Sequence, residues 1–417
     1  MKKAVILYCL LWSFAYSKDV TIDTLLEQLD KTSYQREIYN IKEKRDNKRE
    51  EVYKKSDYNG VNVSGEIEYD EEQSAYNSIG KVKYGDFYVQ GEKRKRDDSN
   101  FTYGIEKNLK NFIYSKDDSE LKKLEVSKKI EKIDFYMDLE EQKIELINLY
   151  RDYREAELEL KIRESALEIL EKEKKILEKS YKLGNIAKVD LDSLLTSYYN
   201  IKLEIVELKR AIENYTDQFH YTFKINIKDY NLLPINTQDI DYSKYLTKVG
   251  TKDLGKSILQ KKNIEENINY ESYSDKIPDF SLGVERDTRY DENRVFFKIS
   301  KDIFYDNLTL EDEKSSLEEK QVIISQQVRD IEKERLVIRK NILKLETAYE
   351  VKKNERELEE QKYNIKKLEN KLGKIAYMDV MESFDKALEL KIQEEKAKNI
   401  LAAYIYEIKI RGEEIES

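Results

Sequence analysis

Apolar residues recur at helical spacing from Thr21 to about Ser56, with Ile22, Leu25, Leu26 and Leu29 on one face and a highly charged continuation. The period then changes from 3.6 to 2. In residues 61–69, Val61, Val63, Gly65, Ile67 and Tyr69 alternate with Asn62, Ser64, Glu66 and Glu68. Residues 101–109 repeat the pattern, with Phe101, Tyr103, Ile105 and Leu109 set against Thr102, Glu106 and Asn108. Both read as strands with one apolar and one polar face. A third strand-like run covers residues 81–91, but its apolar phase slips at Gly85, from Val82 and Tyr84 to Phe87 and Val89.

Helical periodicity resumes at about Asp117 and runs to Lys182 without a Pro or Gly, a length of about 100 Å at 1.5 Å per residue. Leu183 and Gly184 interrupt it, a second helix follows from about Val189 to Tyr221, and a non-periodic connector with Pro234 reaches about Thr251. The order then returns. A shorter helix extends to Ser274, strands are expected at 279–287 and 294–304, another uninterrupted helix runs from about Asp306 to Lys371, and a last helix ends near Ile410.

The segment LGNIAKVDLDS, beginning at Leu183, comes back as LGKIAYMDVME, beginning at Leu372. Gly184 and Gly373 stand where a helix C-terminus favours a left-handed residue. Asp190 and Asp379 fall in the first turn of the next helix, where a carboxylate complements the dipole. The chain therefore reads as two tandem repeats of helix, strand pair, long helix, turn and helix. They cover residues 18–222 and 252–417, joined by a connector at 223–251, with strands at about 61–111 and 279–304 and turns at 183–190 and 372–379.

Composition supports long helices rather than compact cores: 39% of residues are charged, two are proline and twelve are glycine. The formal net charge of −9, with both signs mixed along the chain, argues against nucleic acid, which needs a clustered basic surface. Residues 1–17 carry Lys2 and Lys3, an apolar run and the small-residue pattern Ala15, Tyr16, Ser17, and read as a secretory signal peptide cut after Ser17. The only cysteine, Cys9, lies inside this leader.

Two strands per repeat cannot make a stable sheet with safe edges, so they must be completed by closure or by other chains. Strands of about 9 to 11 residues with one apolar and one charged face suit an outer-membrane barrel. Phe112 and Tyr114, and Phe304 and Tyr305, lie where an interfacial aromatic girdle would. A soluble hairpin carried on a coiled coil shows the same periodicity and is the alternative.

With its leader, its two repeats and a Gly followed six positions later by Asp and an aliphatic residue in each (Gly184 with Asp190 and Leu191, Gly373 with Asp379 and Val380), the chain resembles the TolC-like outer-membrane efflux protein family. The resemblance implies a mainly α fold with β: long antiparallel coiled-coil helices in two tandem repeats, and four strands from each chain of a homotrimer in one 12-stranded outer-membrane barrel. It implies a periplasmic helical tunnel whose tips, at Leu183, Gly184, Asp190, Leu191, Leu372, Gly373, Asp379 and Val380, dock on a periplasmic adaptor protein and, through it, on an inner-membrane pump. The channel would be passive, with no enzyme activity and no cofactor. A chain entering and leaving on the periplasmic side crosses an even number of times, so one of the three strand-like runs of the first repeat should not cross. The unbroken phase of 61–69 favours that run as the membrane strand, with the remainder an enlarged extracellular loop.

Metal-ligand spacing, a phosphate loop and a nucleophile with a base are all missing from the sequence, and the single histidine, His220, sits near a helix end in a capping or packing role. Asp379 and Glu382 are three apart and share a helix face. In the family the corresponding acidic pair points into the narrowest part of the tunnel, so three copies would place six carboxylates in one ring. The residues that latch the closed tip in the best-known member are not matched, since Ile375 and Asn370 occupy those places. The competing functional reading is an exported coiled-coil structural or adhesion protein, or a periplasmic adaptor. The duplicated turn argues against both.

Overall fold

The computed structural model describes residues 18–55, 58–70, 75–93, 99–228, 230–301 and 307–415. The expected leader with Cys9, and the expected girdle residues Phe304 and Tyr305, lie outside them. The chain divides into two compact units, one formed by residues up to 36 with 136–251 and 330–417, the other by 37–135 with 252–329.

In the first unit, β1 (Lys18–Val20) pairs in parallel with β6 (Tyr230–Leu232). α1 (Ile22–Thr32) follows, and Ile22, Leu25, Leu26 and Leu29 are all buried, as their spacing requires. Thr21 caps it, its hydroxyl accepting from the Thr24 N–H. Buried Tyr150 donates its hydroxyl to the carbonyls of Val20, at 3.2 Å, and Leu233, which ties β1 and the connector to α4 (Lys116–Lys182). The connector is thus not structureless: besides β6 it holds α6 (Tyr242–Leu246). Strands of three residues are too short to show a period.

The two long helices, α4 and α8 (Leu308–Lys371), are uninterrupted as expected, and each meets a shorter helix across a glycine turn: α5 (Lys188–Phe223) and α9 (Tyr377–Arg411). Ion pairs one turn apart run along the long helices, such as Lys314 with Glu311 at 2.6 Å and Lys352 with Glu355 at 2.8 Å in α8, each adding about 0.2–0.5 kcal/mol to the helix. Ala166 and Leu170 of α4, Leu194, Ile201 and Ile205 of α5, and Met381, Phe384 and Leu388 of α9 form one buried cluster beneath the turns.

The second unit holds α2 (Tyr34–Lys55), the short α3 (Leu109–Ile113), α7 (Thr251–Lys276) and a sheet. The sheet is antiparallel throughout and six-stranded: β2 (Val61–Asp70), β3 (Ala75–Tyr84), β4 (Phe87–Lys93), β5 (Asn100–Asn108), β7 (Asp279–Asp287) and β8 (Glu292–Ser300), neighbours in that order. Two expectations are corrected here. The run at 81–91 is not one strand, because Gly85 and Asp86 turn the chain between β3 and β4. Gly85 has φ +59°, and a Cβ there would come within 2.2 Å of the Tyr58 ring, so only glycine fits this first position of a two-residue hairpin. The first half of the chain therefore supplies four strands in one sheet, rather than two strands, at 61–69 and 101–109, and an enlarged loop. One chain thus brings six strands to one sheet where four were expected.

Candidate functional site

The sheet has two chemically distinct faces, and register shows how they arise. At one height Val61, Tyr84, Phe87, Ile105, Val284 and Val295 stand side by side across all six strands. At the next, Val63, Val82, Val89 and Tyr103 line up, and Arg286 and Asn293 complete the row on the last two strands. These side chains are exposed, Val63 at 73%, Ile67 at 75% and Val295 at 75%. A largely apolar exposed face, interrupted only by residues such as Lys93, Arg286 and Asn293, marks contact with lipid or another chain.

The opposite face is polar and internally bonded. The Tyr88 hydroxyl donates to Glu285, the Lys81 ammonium lies 4.4 Å from the Tyr88 ring centre, and Glu106 accepts from Ser281 at 2.9 Å and from Lys298 at 3.0 Å. Of the expected girdle aromatics, Phe112 is exposed. Tyr114 instead turns into a cluster with Tyr270 and Tyr273, donating its hydroxyl to Glu266.

The two glycine turns are built alike. Gly184 has φ +74° and Gly373 φ +71°. Gly184 N–H donates to Tyr181 O at 2.9 Å and Asn185 N–H to Ser180 O at 2.9 Å, while Gly373 N–H donates to Asn370 O at 2.9 Å and Lys374 N–H to Glu369 O at 3.0 Å. These reciprocal bonds satisfy the last carbonyls of α4 and α8. Ala187 and Ala376 start the next helices with extended backbone, and Asp190 and Asp379 return their N–H groups to those alanine carbonyls at 3.2 Å.

The expected tip residues divide by exposure. Leu183 and Leu372 are exposed at 74% and 63%, Gly184 and Gly373 are exposed, Asp190, Leu191 and Asp379 are half-buried, and Val380 is buried. Val189 and Met378, at one shared position of the repeated segment, are also exposed. Each turn thus displays an apolar pair at its apex, of which the sequence reading had named the leucine but not Val189 or Met378. Glu382 is exposed beside half-buried Asp379.

The second turn is held by bonds the first lacks among the described residues. Asn370 donates its side-chain amide to Ile375 O at 3.0 Å, and Lys366 donates to Asp379 O at 3.3 Å. The Tyr377 hydroxyl donates to Glu173 of α4, which also accepts from Lys367 at 3.4 Å. Burial, together with Glu173, pushes the Tyr377 hydroxyl well above its ordinary range. Below this, Glu359 is buried yet ionised: burial alone would raise its carboxyl, but Ser383 at 3.0 Å and Lys362 at 3.3 Å outweigh that and hold it low. His220 is exposed and serves through its backbone, its carbonyl accepting from Lys224 N–H where α5 ends. Among the described residues no cluster of three or more potential ligands could hold a metal, and no helix is long and apolar enough to cross a membrane.

Paired long helices with glycine turns, joined to a sheet apolar on one face and charged on the other, make up the fold of a TolC-like outer-membrane channel. The chain is similar to VceC, an outer membrane protein of Vibrio cholerae, with TM-score 0.68 over 95% of this chain and 97% of that one at 11% identity. It is likewise similar to the outer-membrane channel OprN, with TM-score 0.66 over 94% and 89% at 14% identity, and to the open state of the MtrE channel of Neisseria gonorrhoeae, with TM-score 0.65 over 94% and 88% at 12% identity. At such identities the likeness is one of fold. No family model matches the sequence, and no curated protein matches it.

Proposed function

We propose that the chain is the outer-membrane duct of a tripartite efflux or type I secretion system. It would act without enzyme activity, as a homotrimer whose strands meet outer-membrane lipid and whose helices form a tunnel in the periplasm. The observation that carries this reading is the exposed apolar face shared by six strands and backed by a charged one, which suits a wall between lipid and a wet lumen. A soluble adhesin or adaptor gives that face nothing to touch. The tandem repeat, read from sequence, fits the matched lengths of α4 and α8 and of α5 and α9.

The exposed apolar pairs at the two turns, Leu183 with Val189 and Leu372 with Met378, support docking of both tips on a periplasmic adaptor, and through it on an inner-membrane pump. Asp379 and Glu382 from three copies would ring the narrowest part of the tunnel. The experiment is membrane fractionation followed by gel electrophoresis with and without boiling. A heat-sensitive, SDS-resistant oligomer in the outer-membrane fraction is expected, and a monodisperse soluble monomer without detergent overturns the reading.

A further inference from the structure

The six-stranded sheet leaves two strands with a free side, β2 and β8. Within hydrocarbon an open edge is not viable, because every unpaired N–H and C=O there lacks water. The chain's own strands run in alternating directions from β2 to β8, so β2 of a second copy, laid against β8, continues the antiparallel alternation. The side chains agree with that join. On the polar face β2 carries Glu66 and Glu68, and β8 carries Arg294 and Lys298. On the apolar face β2 offers Val61, Val63 and Ile67, and β8 offers Val295, Phe297 and Ile299. Although Glu292 and Phe296 share the polar face of β8, a register that sets acid against Arg294 or Lys298 on one side keeps apolar against apolar on the other, and a slip of one residue would set the faces against each other.

The β2–β3 hairpin continues the same sheet at the same level. Val61 of β2 and Tyr84 of β3 stand in the same row as Val284 and Val295, so β2 and β3 occupy the same height as the other four strands. We propose that β2 of each copy pairs with β8 of the next, and that a trimer therefore closes a barrel of eighteen strands, six per chain, in place of twelve. This rests on the channel reading above and adds to it the joint between copies and the width of the wall. A head-to-tail joint of this kind closes into a ring rather than a pair.

Cysteine crosslinking of the full chain in outer membranes tests it. In the Cys9→Ser background, Ser64→Cys is combined in turn with Arg294→Cys, Phe296→Cys and Lys298→Cys, all polar-face positions, and treated with a short thiol crosslinker. At least one combination should give covalent dimers and trimers that survive boiling. Ser64→Cys with Val295→Cys or Phe297→Cys, on the opposite face, should give none. A heat-sensitive oligomer with no polar-face crosslink overturns the joint and leaves the channel reading standing. Absence of any oligomer overturns both. Images of the unmodified oligomer down its axis provide the second measurement, since ring diameter grows with strand number. Eighteen strands make a ring about 1.5 times as wide as twelve, and a twelve-strand width overturns the proposal.

Discussion

Asp379 and Glu382 show how little of a site's chemistry is visible in one chain. Taken singly, each is an ordinary carboxylate near the start of α9, one half-buried and one exposed. Brought together in threes they would repel one another unless cations sat among them, and oxygen ligands suit hard multivalent cations. The channel should therefore be blocked in planar bilayers by micromolar to millimolar divalent or trivalent cations added on the periplasmic side. The double change Asp379→Ala with Glu382→Ala should abolish the block and weaken cation selectivity, while Asp190→Ala should do much less. Equal block in wild type and double mutant would place the constriction elsewhere. The sequence showed this pair but not its support, because Tyr377 and Glu173 are 204 residues apart and meet only through folding.

A carboxylate elsewhere on α4 acts on stability instead. Burial raises the Glu155 carboxyl of α4 to about 7, with Arg151 at 3.9 Å only partly offsetting it. Between the ordinary carboxylate value and about 7 the folded chain then binds more protons than the unfolded one, so Glu155 favours folding at low pH and that benefit is lost as pH rises through 7. The melting temperature should fall from pH 5.5 to pH 8, and Glu155→Gln should flatten that fall. An unchanged slope in the variant would show that Glu155 does not carry it.

At the scale of elements, the long helices and both glycine turns were legible because their signals are local: uninterrupted periodicity and a glycine at each end. The left-handed backbone of Gly184 and Gly373, with nothing within 4 Å of either missing Cβ, makes their requirement conformational and not steric. Valine at either position should cost about 1–2 kcal/mol at the turn, lowering export while leaving the oligomer and its membrane insertion intact. Normal export by both variants would show that the turns do not dock. β3 was the element least legible. Its apolar face begins with Tyr76, Ser78 and Gly80, and Ile79 stands on the polar side, so alternation is blurred in the first half. The hairpin turn that follows is so tight that it reads as a slip in phase rather than a reversal.

For the whole molecule, the class of fold followed from the order of elements, whereas the strand count did not. Counting strands needs pairing partners, and a period identifies a strand without naming its neighbour. The expectation of four strands per chain came from reading one strand pair in each repeat, a number the resemblance also implies, and the chain departs from it through β3 and β4, where a single slipped run was read. That departure is confined to the first half, since among the described residues the second half adds only β7 and β8 to this sheet.

The tight turn at Gly85 carries a consequence for descent. A hairpin that starts and ends on the same side of a sheet can be gained or lost in a single genetic event without redirecting the helices that flank it. Pore width in such a lineage would then change in discrete steps, by two strands in every copy at once, with no intermediate that leaves a subunit facing the wrong way.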